Sequence, residues 1–167
     1  MAPSATFVNG LRFAAVERRT RLSADHCQTL FRHGATYLNQ QAKLSAAVRY
    51  GLRARMWSRL VVELASKATR LLRVPIVAYR PLAPITDVTL ELALYTVREA
   101  VRGRQPVLVL LKGEYEHYTV VCGITATRLN LFDSCGYRFV SISSCSLAEA
   151  ASTSRHRIRA ASLTVLA

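Results

Sequence analysis

Four short apolar runs follow one another within residues 104–143, and they constrain the fold more than any other part of the chain. The second run is rich in β-branched residues, and the third alternates apolar with polar side chains. Turn-forming residues separate the runs, so the pattern predicts four strands arranged as an antiparallel meander. The predicted strands are residues 107–111, 118–124, 128–132 and 137–142.

A histidine and an aspartate stand at neighbouring ends of this predicted sheet. His117 begins the second strand, and Asp133 follows the third. Because antiparallel strands joined by a short turn run side by side, we expect the two positions to meet at one edge of the sheet. An imidazole held by a carboxylate is a general base with its orienting partner, which indicates a site for nucleophilic catalysis.

The nucleophile expected beside such a pair is a cysteine, and Cys27 is the best candidate. It lies in the first turn of a predicted helix, and thiolates are favoured at helix N-termini and beside imidazolium groups. Cys135 stands in the turn next to Asp133 and can reach the edge of the site. The other two cysteines lie within the second predicted strand, on the face opposite His117 (Cys122), and beyond the meander (Cys145).

The order of these three residues resembles that of the papain-like cysteine peptidases, in which a cysteine heads a helix and the histidine and aspartate lie on adjacent strands. The likeness is greatest to the bacteriocin-processing peptidases, whose pattern is matched by GRQPVLVLL, HYTVVCGI and LNLFDS within residues 103–143. The spacing of 16 residues between His117 and Asp133 also suits that family. The resemblance implies a papain-like fold, a peptide or protein substrate, Cys27 as nucleophile, His117 as base and Asp133 as its orienter.

Two departures from that pattern keep a second interpretation open. Gln-Thr-Leu follows Cys27 where the family has Gly-Pro, and no glutamine stands just upstream of Cys27 to help hold the oxyanion. Such a donor commonly contributes about 3–4 kcal/mol of transition-state stabilisation. The alternative is therefore a catalytically inactive papain-like domain that binds a peptide or regulates a partner.

The rest of the chain is predicted to form mainly helices before residue 104 and short elements after it. Helices are predicted from Ser23 or Asp25 to about residue 40, over residues 43–73 as one helix or two joined near Gly51, and from Thr86 or Asp87 to about Arg102. Asn9-Gly10 predicts a hairpin within residues 6–16, Ser146 with Glu149 predicts a short capped helix, and strands are expected at 74–79 and 158–166. This order indicates a single α+β domain with a helical half over about 20–103 and an antiparallel half over about 104–167.

Positive charge is concentrated in the first half of the chain. The formal net charge is +13, and residues 1–80 contain 14 Lys and Arg against 3 Asp and Glu, whereas residues 81–167 contain 9 against 7. Along residues 43–73 apolar side chains recur every four positions and arginines occupy much of the remainder, so the basic face is either solvated or contacts nucleic acid or an acidic protein. The arginines available to such an anionic partner are Arg49, Arg53, Arg55 and Arg59, and a basic adaptor that binds nucleic acid or an acidic protein is the third interpretation of the chain.

The sequence shows no cofactor-binding motif and no apolar run long enough to span a membrane. Neither a P-loop nor a GxGxxG motif is present, and the four cysteines lack the spacing of zinc ligands, so we expect no cofactor and no metal. No run approaches the length that spans a bilayer. Few cysteines and no apolar N-terminal signal predict reduced thiols in a cytoplasmic protein, or one exported without a recognisable signal.

Overall fold

The computed structural model describes residues 3–17, 22–50, 52–133, 135–148, 150 and 152–167 of the chain. The helices in these residues are α1 (Pro3–Glu17), α2 (Ala24–Gln40), α3 (Leu44–Tyr50), α4 (Ala54–Leu72) and α5 (Leu90–Arg102). The strands are β1 (Ala78–Tyr79), β2 (Val107–Gly113), β3 (His117–Ile124), β4 (Arg128–Phe132), β5 (Phe139–Ser141), β6 (Cys145–Leu147), β7 (His156–Ile158) and β8 (Thr164–Leu166). Short 3-10 turns occupy Ile142–Ser144 and Ala160–Ser162.

The sheet confirms the predicted meander and the α+β class. Its strand order is β1-β8-β2-β3-β4-β5, and each neighbouring pair in this order is antiparallel. β7 pairs with the end of β2, and β6 adds to β7 in the parallel direction. The chain thus returns twice to β2 after the meander, which makes β2 and β3 the centre of the sheet.

Helices cover both faces of the sheet because β2 and β3 present apolar side chains on each face. On one face, Leu108, Tyr118 and Val120 pack in a core with residues of α1, α2 and α4. On the other face, Val109 and Val121 pack in a second core with α5. Alternation before the register shift of β3 therefore assigns Tyr118 and Val120 to one core and Val121 to the other.

The predicted helices of the first half are largely present, with shifted boundaries. The side chain of Ser23 accepts a hydrogen bond from the backbone N–H of His26 and caps α2, as expected. Residues 43–73 form two helices, α3 and α4, and Gly51, the predicted joint, lies outside the described residues. The cap of α5 is Thr89, so the prediction of Thr86 or Asp87 was wrong by two or three residues.

The predicted hairpin at Asn9-Gly10 was wrong, because this segment belongs to the helix α1. Gly10 packs on the sheet so closely that an added Cβ would lie 2.9 Å from Leu108 and 3.0 Å from Leu166. Phe7 and Leu11 are buried on the same side of the helix. Burial of this face against the sheet outweighs the local turn preference of Asn-Gly.

The short helix predicted at Ser146 was also wrong, because Ser146 lies in β6 and pairs with Arg157 of β7. Its expected capping partner, Glu149, lies outside the described residues. The last predicted strand is divided by a 3-10 turn into β7 and β8, which pair with different parts of β2. These strands form through pairing with β2, a partner distant in sequence.

Candidate active site

The sheet brings His117 and Asp133 into direct contact. His117 is the first residue of β3, and Asp133 directly follows β4, which pairs with β3 through Val120 and Phe132. Nε2 of His117 lies 2.9 Å from Oδ2 of Asp133. The side chain of Asp133 is fully buried and that of His117 is 19% exposed, so solvent reaches the imidazole but not the carboxylate.

The carboxylate of Asp133 is held in its charged form. Burial opposes its ionisation, but hydrogen bonds from His117 and from the backbone N–H of Cys135, the latter 2.7 Å from Oδ1, lower the pKa of Asp133 below its usual value. The hydroxyl of Thr119 lies beside the same carboxylate and contributes in the same direction, although it makes no hydrogen bond of ordinary geometry to a described residue. A buried carboxylate with these donors is suited to orienting an imidazole.

The tautomer of His117 follows from this contact. A neutral imidazole that donates its Nε2 proton to Asp133 keeps a lone pair on Nδ1. Among the described residues no hydrogen bond to Nδ1 is found, so this nitrogen is the one that can accept a proton. An imidazole with one nitrogen held by a carboxylate and the other able to accept a proton has the arrangement of a general base with its orienter.

An aromatic cluster that the sequence did not predict surrounds the imidazole. The ring of Tyr137 stacks 5.7 Å from that of His117, and Tyr115 lies 3.8 Å from Tyr137 and 4.6 Å from His156. His156 is only 4% exposed, and burial lowers its pKa. These rings come from separate loops and strands, so no local sequence signal connects them with His117.

The thiol nearest to the pair is that of Cys135. A ring nitrogen of His117, a carboxylate oxygen of Asp133 and Sγ of Cys135 all lie within 4.8 Å of one another. Within the described residues, this is the one group of three or more potential metal-binding side chains, and its nitrogen, oxygen and sulfur donors would suit Zn²⁺. Cys135 is exposed in the turn after Asp133, at the position that the sequence analysis placed at the edge of the site.

Cys27, the predicted nucleophile, is in the first turn of α2 as expected, but it is not part of this group. Its half-buried side chain packs against the core formed by α1, α2 and α4. His117 lies on the opposite face of the sheet from Tyr118, which belongs to that core. The structure therefore brings His117 and Asp133 together and does not bring Sγ of Cys27 within 4.8 Å of both.

The two remaining cysteines are engaged elsewhere. Sγ of Cys122 lies 3.5 Å from the carbonyl oxygen of Asn130, at the register shift between β3 and β4. Burial raises the pKa of the Cys145 thiol to about 11, and its Sγ lies 3.2 Å from the carbonyl oxygen of Ser141. Both thiols are suited to structural roles rather than to nucleophilic attack.

The four arginines predicted to meet an anionic partner lie together on one wall of a cavity. Arg49, Arg53, Arg55 and Arg59 line a space of about 1120 Å³ between the start of α4 and the ends of β2 and β3. His117 borders the same space through its position beside Tyr118. The sequence identified these arginines by helical spacing alone, and only the fold shows the strand residues that face them.

Comparisons with known proteins do not assign a family. Protein-family models, curated proteins and solved structures were compared with this chain, and none matches it. Of the helices in the described part of the chain, none is both long and apolar enough to cross a bilayer. The functional assignment consequently depends on the geometry of the site.

Proposed function

We propose that this protein is a cysteine peptidase-like protein with a papain-like fold, acting on peptides through a thiol activated by His117 and Asp133. The observation that carries the proposal is the 2.9 Å contact between Nε2 of His117 and Oδ2 of the buried Asp133. A base held by a buried carboxylate beside a thiol is the arrangement that acyl transfer at neutral pH requires. The order of helices and antiparallel strands is compatible with this fold.

The proposed reaction needs only groups of this chain and water. The thiol gives its proton to Nδ1 of His117 as sulfur forms a bond to the carbonyl carbon of the substrate. The carbon–nitrogen bond then breaks, and the leaving amine takes the proton from His117. Water attacks the resulting thioester while His117 accepts a proton from it. The carbon–sulfur bond then breaks, the carboxylic acid leaves, and His117 returns the proton to the sulfur.

Two thiols compete for the role of nucleophile. Cys135 is favoured by its position within 4.8 Å of both His117 and Asp133. Cys27 is favoured by its place in the first turn of α2 and by the resemblance described above. We assign the nucleophile to Cys135 and keep Cys27 as the alternative that the same experiment examines.

The test is the rate of alkylation of each cysteine by iodoacetamide at neutral pH, followed by peptide mapping with mass spectrometry. We expect Cys135 to react faster than Cys122 and Cys145, and His117→Ala to slow it at least about ten-fold, since a general base typically contributes more than this. The matched control is His33→Ala, because Nε2 of His33 also contacts a carboxylate, that of Glu63, at 2.8 Å. The His33→Ala variant should leave the alkylation rates of all four cysteines unchanged.

The outcomes separate the alternatives. If Cys27 is the thiol that responds to His117→Ala, the acyl-transfer proposal holds with the sequence-predicted nucleophile. If no cysteine responds, the catalytic proposal is wrong, and a papain-like domain that binds a peptide without cleaving it is the better description. The absence of a glutamine upstream of Cys27 specifically favours that second candidate.

A further inference from the structure

The cavity beside the start of α4 is lined mainly by basic side chains among its charged groups. Its volume of about 1120 Å³ is slightly above the usual range for small-molecule sites and suits an extended segment of chain. Seven basic side chains line it, opposed by the single carboxylate of Glu116. The basic residues are Lys43, Arg49, Arg53, Arg55, Arg59, Lys112 and Arg159.

Much of this charge has no carboxylate partner in the part of the chain that the structure describes. Four ion pairs there join His33 to Glu63, Arg102 to Glu99, His117 to Asp133 and Arg155 to Glu114, and none of the four includes a lysine or arginine that lines the cavity. Five of the basic residues therefore have no described carboxylate within ion-pair distance, namely Lys43, Arg53, Arg55, Arg59 and Lys112. Cations that converge on one cavity repel one another unless an anion lies between them.

Two further features of the wall favour an anionic, hydrogen-bonding ligand. Arg53 is the N-cap of the 19-residue helix α4 and gives it no side-chain cap, so the positive end of the helix opens at the cavity. Tyr118, a residue only 6% exposed, also lines the cavity, and its buried hydroxyl has no hydrogen-bond partner among the described residues. A buried hydroxyl is ordinarily paired, so a bound ligand would supply the missing partner.

We propose that this cavity, bordered by α3, the start of α4 and the ends of β2 and β3, binds an acidic peptide segment. Arginine fork geometry matches the carboxylates of Asp and Glu, and several such contacts can form along an extended chain. Single-stranded nucleic acid is commonly held by exposed aromatic side chains that stack on its bases. The ring of Trp57 is fully buried and stacks 3.9 Å from that of Tyr118, so it offers no such surface.

This binding site is separable from the proposed catalytic pair. Tyr118 faces the helices α1, α2 and α4, whereas His117, its neighbour on β3, points to the opposite face. The peptide would thus pass the edge of the sheet at Glu116 and His117 without relying on the imidazole. Binding of an acidic peptide can be measured whether or not the protein has thiol-dependent activity.

The experiment is fluorescence anisotropy with a short fluorescein-labelled peptide of alternating Glu and Gly, and with the same peptide carrying Gln for each Glu. We expect the Glu peptide to bind, with an affinity that falls as salt is raised, and the Gln peptide to bind at least about ten-fold more weakly. The variant Arg55→Gln with Arg59→Gln should weaken binding of the Glu peptide about ten-fold.

The matched control removes the same charge from exposed helical arginines outside the cavity. Arg32→Gln with Arg70→Gln should change the affinity less than two-fold, and circular dichroism should show both double variants folded. Equal weakening by the two double variants would show a nonspecific effect of net charge and overturn the proposal. So would equal binding of the Gln peptide, or tighter binding of a single-stranded oligonucleotide of the same charge, which would make the surface a nucleic-acid site. Thiol alkylation does not enter this measurement, so failure of the catalytic proposal leaves this one standing.

Discussion

Oδ2 of Asp133 lies 2.9 Å from Nε2 of His117, and this contact joins the start of β3 to the end of β4. The other carboxylate oxygen of Asp133 accepts the backbone N–H of Cys135 at 2.7 Å, so one buried side chain positions both the imidazole and the turn that carries the nearest thiol. Loss of this carboxylate should therefore affect the stability of the fold as well as the site.

The first prediction concerns Asp133→Asn, which keeps the size of the side chain and removes its charge. Near pH 7 the variant should lose about 2 kcal/mol of unfolding free energy, as expected for hydrogen bonds to a buried charged group. The folded-state pKa of Asp133 is lowered from 3.8, so the advantage of the wild type is fully present above that value. This difference in stability between the wild type and Asp133→Asn should disappear as the pH falls through the folded-state pKa of Asp133. Urea unfolding of both proteins from about pH 7 to about pH 3 measures this, and a difference that does not change with pH contradicts it.

The second prediction concerns the buried His156, whose ring stacks 4.6 Å from that of Tyr115. Burial lowers the pKa of His156, the nearby Glu114 opposes this and Arg155 adds to it. The unfolded chain then binds more protons below about pH 6.5, so acidification should destabilise the wild type. His156→Phe keeps a stacked ring and should remove this contribution. Equal losses of stability in the two proteins between about pH 7.5 and about pH 5 would disprove the assignment.

The third prediction concerns Trp57, which is fully buried and stacks 3.9 Å from Tyr118. Trp57→Ala should cost about 3–5 kcal/mol of unfolding free energy because it leaves a large cavity between α4 and the sheet. Trp57→Phe should cost much less, since it keeps a ring and Nε1 has no hydrogen-bond partner among the described residues. The chain has one tryptophan, so unfolding must be followed by circular dichroism rather than fluorescence. Similar costs for the two variants would mean that the stacked pair contributes little.

The fourth prediction concerns Gly34, where α2 crosses α1. An added Cβ would lie 2.3 Å from Oγ and 3.1 Å from Cβ of Ser4, so Gly34→Ala should destabilise the protein by roughly 1–3 kcal/mol. At an exposed helical position the same change would instead stabilise by up to about 1 kcal/mol, so the sign of the effect is informative. Ser4→Gly should recover part of the loss in the double variant, measured as a coupling energy in urea unfolding. Strictly additive effects would show that the two helices do not meet at these residues.

The parts of the fold that could be predicted are those whose signal is local. Alternating side chains and short turns define the meander, and two positions at adjacent strand ends then have to meet, which is why His117 and Asp133 were identified together. The cap of α2 at Ser23 was likewise predictable, because its hydrogen bond spans only three residues.

The parts that could not be predicted depend on burial against distant partners. Asn9-Gly10 favours a turn locally, yet the segment is helical because Phe7 and Leu11 bury their side chains against the sheet. The strand β6 also depends on a partner that the local sequence does not indicate, because it pairs with β7 on the far side of a loop.

The sequence by itself determined the antiparallel meander and the contact between His117 and Asp133. It also determined that four arginines lie together on a basic helical face, namely Arg49, Arg53, Arg55 and Arg59. Only the tertiary structure showed that Sγ of Cys135, and not that of Cys27, lies within 4.8 Å of both His117 and Asp133, and that the arginines and residues of β2 and β3 line one cavity. The physical reason is that alternation and helical periodicity define which residues share a face. Which faces meet is decided by the packing of whole helices on the sheet, and that depends on apolar burial summed over residues far apart in the chain.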